Sequence, residues 1–169
     1  MSNKKKRIVI LTENELRKTL SRLTSEIIEK VQNLDNLLLV GIPTRGVDLA
    51  EVLETELFCK TGVKIRRGVI DPTFYRDDQN RVGTRLIIKA TDIPTPIEKQ
   101  EILLIDDVIY TGRTIRAAMD ALCSWGRPKR VMLLVMVDRG HRELPIQPDF
   151  YGKRVPTSKN ESISLRLNN

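Results

Sequence analysis

ILLIDDVIYTGRTIRAAMDAL, residues 102–122 of a 169-residue chain, runs from an apolar stretch into two adjacent acids and then into a Thr-Gly-Arg-Thr turn that opens a helix. Ile102, Leu103, Leu104 and Ile105 are continuously apolar, the pattern of a parallel strand covered by helices on both faces. Thr111, Gly112, Arg113 and Thr114 then read as a phosphate cradle. Gly112 permits a tight turn close to a ligand, the unpaired amides at the helix start present their positive end to an anion, and the hydroxyls of Thr111 and Thr114 add donors. No Gly-Lys-Ser/Thr follows the glycine, which excludes a Walker A loop.

Asp106 and Asp107 decide what lies beside the phosphate. They would repel a phosphate that touched them, yet two carboxylates accept hydrogen bonds from neighbouring hydroxyls, and a ribose 2′,3′-diol carrying a 5′-phosphate fits both demands. The plain alternative is a strand-to-helix turn whose acids cap the helix.

Working outward, Thr12 and Glu15 form a capping box, and Leu16, Leu20, Leu23, Ile27 and Val31 recur at helical spacing. Residues 37–42 read as a strand, GIPTRG (41–46) as a turn, and 47–57 as a helix ending before Gly62. Residues 65–70 form another strand. The polar segment 71–85 follows, long enough to be functional, and leads into a short strand at 86–88. Residues 92–98, with Pro94 and Pro96, are an extended connection. After the central motif comes a helix ending at Gly126, then a strand over 131–137. The tail SISLRL (162–167), with alternating Ile163, Leu165 and Leu167, reads as a half-buried strand. Strands alternating with helices predict an α/β fold with a mainly parallel sheet flanked by helices, in which ligands bind at the carboxyl ends of the strands. GIPTRG, DDVIYTGRT and DRGHREL (138–144) all fall there and are expected to form one site.

The length predicts a single domain over residues 1–169. No apolar run approaches a membrane span and the N-terminal KKKR is no signal peptide, so the expected location is cytoplasmic. Cys59 and Cys123 lack a partner motif and are expected to be small buried hydrophobes. One histidine makes a His-based metal site or a Ser-His-Asp triad improbable. The net charge is +7, with four basic groups and no acid in residues 1–7, and nine basic groups against four acids in residues 126–169. A basic excess at both ends predicts a patch for phosphate ligands or nucleic acid if the ends meet, although solubility alone also accounts for such charge.

The central string resembles the PRPP-binding motif of type I phosphoribosyltransferases. GIPTRG (41–46), DPTFYRDD (71–78) and VDRGHRELPIQPDFYGKRVPTSK (137–159) resemble the PyrR family of pyrimidine operon attenuation regulators that are also uracil phosphoribosyltransferases. The similarity covers nearly the whole chain. It implies the type I phosphoribosyltransferase fold with a small hood built from segments near the termini, and displacement of pyrophosphate from PRPP by uracil to give UMP, with Mg²⁺ entering with PRPP and no direct protein ligand to it. The resemblance nominates Asp106, Asp107 and Arg45 for catalysis. Thr44, Arg45 and Gly46 become the pyrophosphate loop, with Pro43 where relatives often carry Lys. Arg76 becomes a diphosphate contact on a closing loop, while Val108, Tyr110, Thr111, Gly112, Arg113 and Thr114 join the acids around the phosphoribosyl group. Asp138, Arg139 and Gly140 are expected at the base, with backbone groups and Arg139 recognising the pyrimidine and Asp138 orienting the diphosphate-bound metal through water.

The resemblance also implies a homo-oligomer that binds a pyrimidine-leader mRNA stem-loop better with UMP or UTP in the pocket. Lys18, Arg22, His141, Arg142, Lys153 and Thr157 are the matching positions for that RNA face. Ser21, Ser25, Gln147 and Arg154 depart from the family's usual residues there. A nucleotide-sensing RNA-binding regulator without significant turnover, a salvage enzyme without RNA binding, and a hypoxanthine or orotate enzyme remain the alternatives.

Overall fold

The computed structural model describes residues 8–77, 91–94 and 96–166. Its frame is a five-stranded sheet in the order β2-β1-β3-β4-β5. Here β1 is Leu37–Gly41, β2 Arg66–Val69, β3 Glu101–Ile109, β4 Arg130–Asp138 and β5 Phe150–Arg154. Every neighbouring pair is parallel, with Gly41 level with Ile105 and Ile109 level with Asp138. The carboxyl ends of β1, β3 and β4 therefore open on one edge, where the three turns singled out above converge.

Both faces of the sheet are covered, which is why its central strands are apolar without alternation. On one face Leu39, Leu103, Ile105, Leu134 and Met136 pack against α1 (Glu13–Lys30) through Leu20, Leu23 and Ile27, and against α2 (Arg45–Thr61) through Leu49, Leu53 and Leu57. On the other, Leu38, Val40, Ile102, Leu104 and Leu133 pack against Ile115, Ala118 and Leu122 of α3 (Arg113–Cys123). The expected capping box closes the start of α1. Thr12 Oγ1 accepts from the Glu15 amide at 3.3 Å, and the Glu15 carboxylate accepts from the Thr12 amide at 2.8 Å. The bond from the Thr12 amide, and after it one that the Thr12 hydroxyl donates at 2.7 Å, hold the Glu15 carboxyl below the usual carboxylate range. Gly62, left-handed at φ 72°, ends α2.

Several expectations need correction. β3 continues four residues past the apolar run, so Asp106 and Asp107 lie within the strand rather than in the turn after it. α3 ends at Cys123, and turn hydrogen bonds from Ser124, Trp125 and Gly126 carry the chain to the predicted stop. β5 was not anticipated: FYGKR mixes polar and apolar residues because it is an edge strand, buried only at its start. Conversely, residues 161–166 carry no strand. Ile163 and Leu165 are still part-buried against the α1–α2 core, so the alternation reports packing of an extended chain without a ladder. Cys59 and Cys123 are exposed. The buried stripe of α2 runs through Leu53 and Leu57, and Cys59 falls off it; Cys123 is the terminal residue of α3. The predicted strand at 86–88, most of the 71–85 segment, the 1–7 basic run and Leu167 lie outside the described residues.

Candidate active site

A cavity of about 330 Å³ opens at the carboxyl end of β3, lined by Arg76, Asp106, Val108–Ile115 and Glu143. Its floor follows from the sequence of β3: apolar residues hold the strand in the core up to Ile105, and the two acids emerge where helix cover ends. Asp106 is 9% exposed. Burial first, and then the neighbouring charge of Asp107, push the Asp106 carboxyl well above the ordinary carboxylate range. Arg76 opposes this more weakly. Asp106 is therefore the acid of the pair whose charged form is disfavoured. Half-buried Asp107 sits beside it, and its amide donates to the Asp106 carboxylate at 2.8 Å. Neither acid caps a helix, which disposes of the plain alternative reading.

At the cavity wall the chain turns through Tyr110 and Thr111 into Gly112, left-handed at φ 91°, which is the residue that opens α3. Thr111 Oγ1 accepts from the Arg113 amide at 3.3 Å. The turn is held from outside by the segment after β4, because the Thr111 carbonyl accepts from the amides of Glu143 at 2.9 Å and Leu144 at 3.3 Å. Leu144 and Ile146 lie 3.6 and 3.5 Å from where a Cβ on Gly112 would stand. Arg113 is bonded to Glu143 at 2.7 Å and Asp77 at 2.8 Å. Arg116 donates to the Tyr75 carbonyl at 2.8 Å, so two α3 arginines hold the chain just around Arg76 against the helix.

The second cradle enters from β1. Thr44 caps α2, Arg45 pairs with Asp48 at 2.9 Å, and the Pro43–Thr44 peptide is cis. A Cβ on Gly46 would lie 2.2 Å from the Ile105 carbonyl oxygen and 3.3 Å from the Asp106 Cα. Only glycine lets the start of α2 come this close to the strand that carries the acids.

The third turn is placed differently from expectation. Asp138 is buried and bonded to Arg142 at 2.8 Å and to the Gly140 amide at 3.0 Å. Arg139 is 7% exposed, its guanidinium 4.1 Å above the Tyr110 ring. Neither side chain lines the cavity. Among the residues expected on an RNA face, Lys18, Arg22 and Lys153 are exposed. Arg22 pairs with Glu26 and donates to the Gly152 carbonyl at 2.8 Å, tying α1 to β5. Lys153 donates to the Ile10 carbonyl at 3.0 Å. His141 bonds the Thr157 carbonyl through Nε2. Arg142 is turned inward, its side chain 13% exposed, donating to the carbonyls of Tyr110 at 2.9 Å and Ile146 at 2.8 Å. Sequence reasoning had assigned no role to Glu143 or Asp77. Glu143 lay within a quoted motif, but no spacing rule announces that two carboxylates will share Arg113.

Among the described residues no cluster of three His, Cys, Asp or Glu could hold a metal ion alone. Two adjacent acids beside a phosphate turn do suit a magnesium ion that keeps its waters and shares its other ligands with a phosphorylated substrate.

A parallel sheet carrying paired acids on its central strand and a phosphate turn at its edge defines a phosphoribosyl transferase domain, and residues 10–167 match that family. The fold is that of hypoxanthine phosphoribosyltransferases: a Staphylococcus aureus structure superposes with a TM-score of 0.67 at 22% identity over 90% of this chain and 80% of that one. A Trypanosoma cruzi structure does so at 0.70 and 18%, covering 89% and 82%. At these identities the likeness concerns the fold alone. The chain is 51% identical to the bifunctional protein PyrR of Microcystis aeruginosa over 95% of this chain and 90% of that protein. It is 47% identical to that of Deinococcus radiodurans over 94% and 86%. The chain belongs to the PyrR family within the phosphoribosyl transferases.

Proposed function

We propose that this protein transfers the phosphoribosyl group of PRPP to uracil and, with a uridine nucleotide in the same pocket, binds a pyrimidine-leader RNA stem-loop to regulate pyrimidine synthesis. The observation that carries the proposal is the cavity in which buried Asp106 stands next to the Thr111–Thr114 turn at the start of α3. Thr111, Thr114 and the first amides of α3 receive the 5′-phosphate. Asp106 and Asp107 take the ribose hydroxyls. Thr44, Arg45 and Gly46, the last of them packed against the backbone of Asp106, receive the diphosphate together with Arg76 of the cavity wall. Backbone groups of the third turn meet the base.

In the reaction the bond from the anomeric carbon to pyrophosphate breaks with its electron pair leaving on oxygen. Uracil N1 bonds to that carbon and loses its proton. Arg45 and Arg76 stabilise the charge that grows on the leaving group, where preorganised cations are most effective. Asp106 and Asp107 would hold magnesium that enters with PRPP, and the ion would supply further neutralisation of the leaving group.

On the RNA side, the exposed cations Lys18, Arg22 and Lys153 lie on or against α1 and β5, and His141 and Thr157 are joined by a hydrogen bond. They would hold phosphates while unpaired loop bases supply specificity. The deciding experiment is conversion of labelled uracil to UMP with PRPP and Mg²⁺, run with and without the stem-loop and against hypoxanthine and orotate. Uracil turnover supports the pocket. Turnover of hypoxanthine or orotate instead reassigns the base. No turnover, with UMP still tightening the stem-loop, leaves a sensor without enzyme activity.

A further inference from the structure

We infer that Arg139 is a positioning residue that fixes Tyr110 and the chain at 157–158 around the pocket, and that it does not contact the base. The inference rests on the phosphoribosyl transfer proposed above. A buried guanidinium needs partners, and those of Arg139 are neutral groups of the protein itself: a ring, a hydroxyl and a carbonyl. One face lies 4.1 Å from the centre of the Tyr110 ring. Nε donates to Thr157 Oγ1 at 3.1 Å and Nη2 to the Ser158 carbonyl at 3.0 Å. The Thr157 hydroxyl lies 3.4 Å from the Arg139 carbonyl, and the Arg139 amide donates to the Ile109 carbonyl at 3.2 Å. The side chain therefore joins three segments: the end of β3, the end of β4 and the chain after β5.

Tyr110 is the point on which these contacts act. It lines the cavity and directly precedes Thr111. Arg139 covers its ring, His141 meets the ring edge-on at 5.7 Å between centroids, and Arg142 holds its carbonyl at 2.9 Å. Three residues of one turn thus grip one residue of the phosphate turn. The Arg139 side chain is absent from the cavity wall, and its Nε and one Nη2 donor are directed at Thr157 and Ser158 rather than at the space a pyrimidine would occupy. It can set where the phosphate turn stands, and small displacements of binding groups are costly to transfer reactions.

The test compares Arg139→Gln, Arg139→Lys, Tyr110→Leu and the Gln/Leu double variant with wild type. KM for PRPP, KM for uracil, kcat, and relative kcat/KM for uracil, 5-fluorouracil and cytosine are measured, with UMP affinity by calorimetry. Positioning predicts that Arg139→Gln raises KM for PRPP and weakens UMP by about tenfold, the scale of a desolvated cation–ring contact. The uracil KM and the base ratios stay unchanged, and Arg139→Lys recovers part of the loss. The Gln and Leu effects must also be non-additive. Altered base ratios with an unchanged PRPP KM, or strictly additive effects, overturn the inference. If the Gln variant does not fold, Arg139→Lys carries the same comparison. A wild type that binds UMP without turnover fails the proposed reaction but leaves the inference to be judged on UMP affinity; a wild type that does neither overturns both.

Discussion

The amide of Asp107 donates to the carboxylate of Asp106 at 2.8 Å, so the first acid is spent partly on its own strand. The pair is therefore unequal. Asp106 is buried, with its carboxyl pushed upward by burial and by its neighbour, whereas Asp107 is half-buried.

Asp107→Asn should abolish turnover and weaken PRPP while leaving the fold intact, because the change removes charge without changing shape. Steady-state kinetics and PRPP binding check this. Unchanged kinetics would sink the assignment of Asp107 to the ribose.

Asp106 makes stability depend on pH in a predictable direction. Its raised carboxyl means that above about pH 4 the unfolded chain gives up a proton that the folded protein retains. The stability it allows is fully present below the unfolded value and is lost as pH rises through the folded one. Asp106→Asn keeps an oxygen to accept the Asp107 amide and removes the ionisation. The variant should match wild type in melting temperature below about pH 4 and exceed it as pH rises above that value. A gap that closes with rising pH would contradict the burial effect.

Gly46→Ala tests the approach of the second cradle. Its Cβ would stand 2.2 Å from the Ile105 carbonyl oxygen, backbone against backbone, so α2 must move away from β3. A destabilisation of about 1–3 kcal/mol, typical of overpacking, is expected together with weakened PRPP. Chemical denaturation and PRPP binding measure both, and a variant that retains wild-type PRPP affinity would remove GIPTRG from the diphosphate site.

Lys153→Gln should weaken stem-loop binding and reduce the slope of log affinity against log salt by about one, since one fewer counterion is released. Titrations at several salt concentrations measure the slope. An unaltered slope takes Lys153 off the RNA face and confines it to its bond with the Ile10 carbonyl.

Much of this architecture was legible because it is written in local pattern. Continuous apolar runs identified β1, β3 and β4, Thr12 and Glu15 marked the start of α1, and Gly112 announced the tight turn into α3. What escaped depends on tertiary context. β5 is a half-exposed edge whose composition imitates a loop, and Ile163 and Leu165 alternate without pairing because burial alone sets that period. Arg139 and Arg142 were expected at ligands because the resemblance and the place of their turn at a strand end put them there. Their partners, Thr157, Tyr110 and Ile146, lie too far along the chain for any spacing rule to reach.

The two exposed thiols lie at the far ends of the helices that open at the two cradles. Cys123 is about 15 Å along α3 from the phosphate turn and Cys59 roughly 20 Å along α2 from Arg45, on opposite layers of the sheet. The chain thus carries a ready pair of spectroscopic attachment points, one on each helix and both clear of the pocket. Labels placed there turn any relative motion of α2 and α3 into a single interprobe distance, with no need to alter a residue of the site.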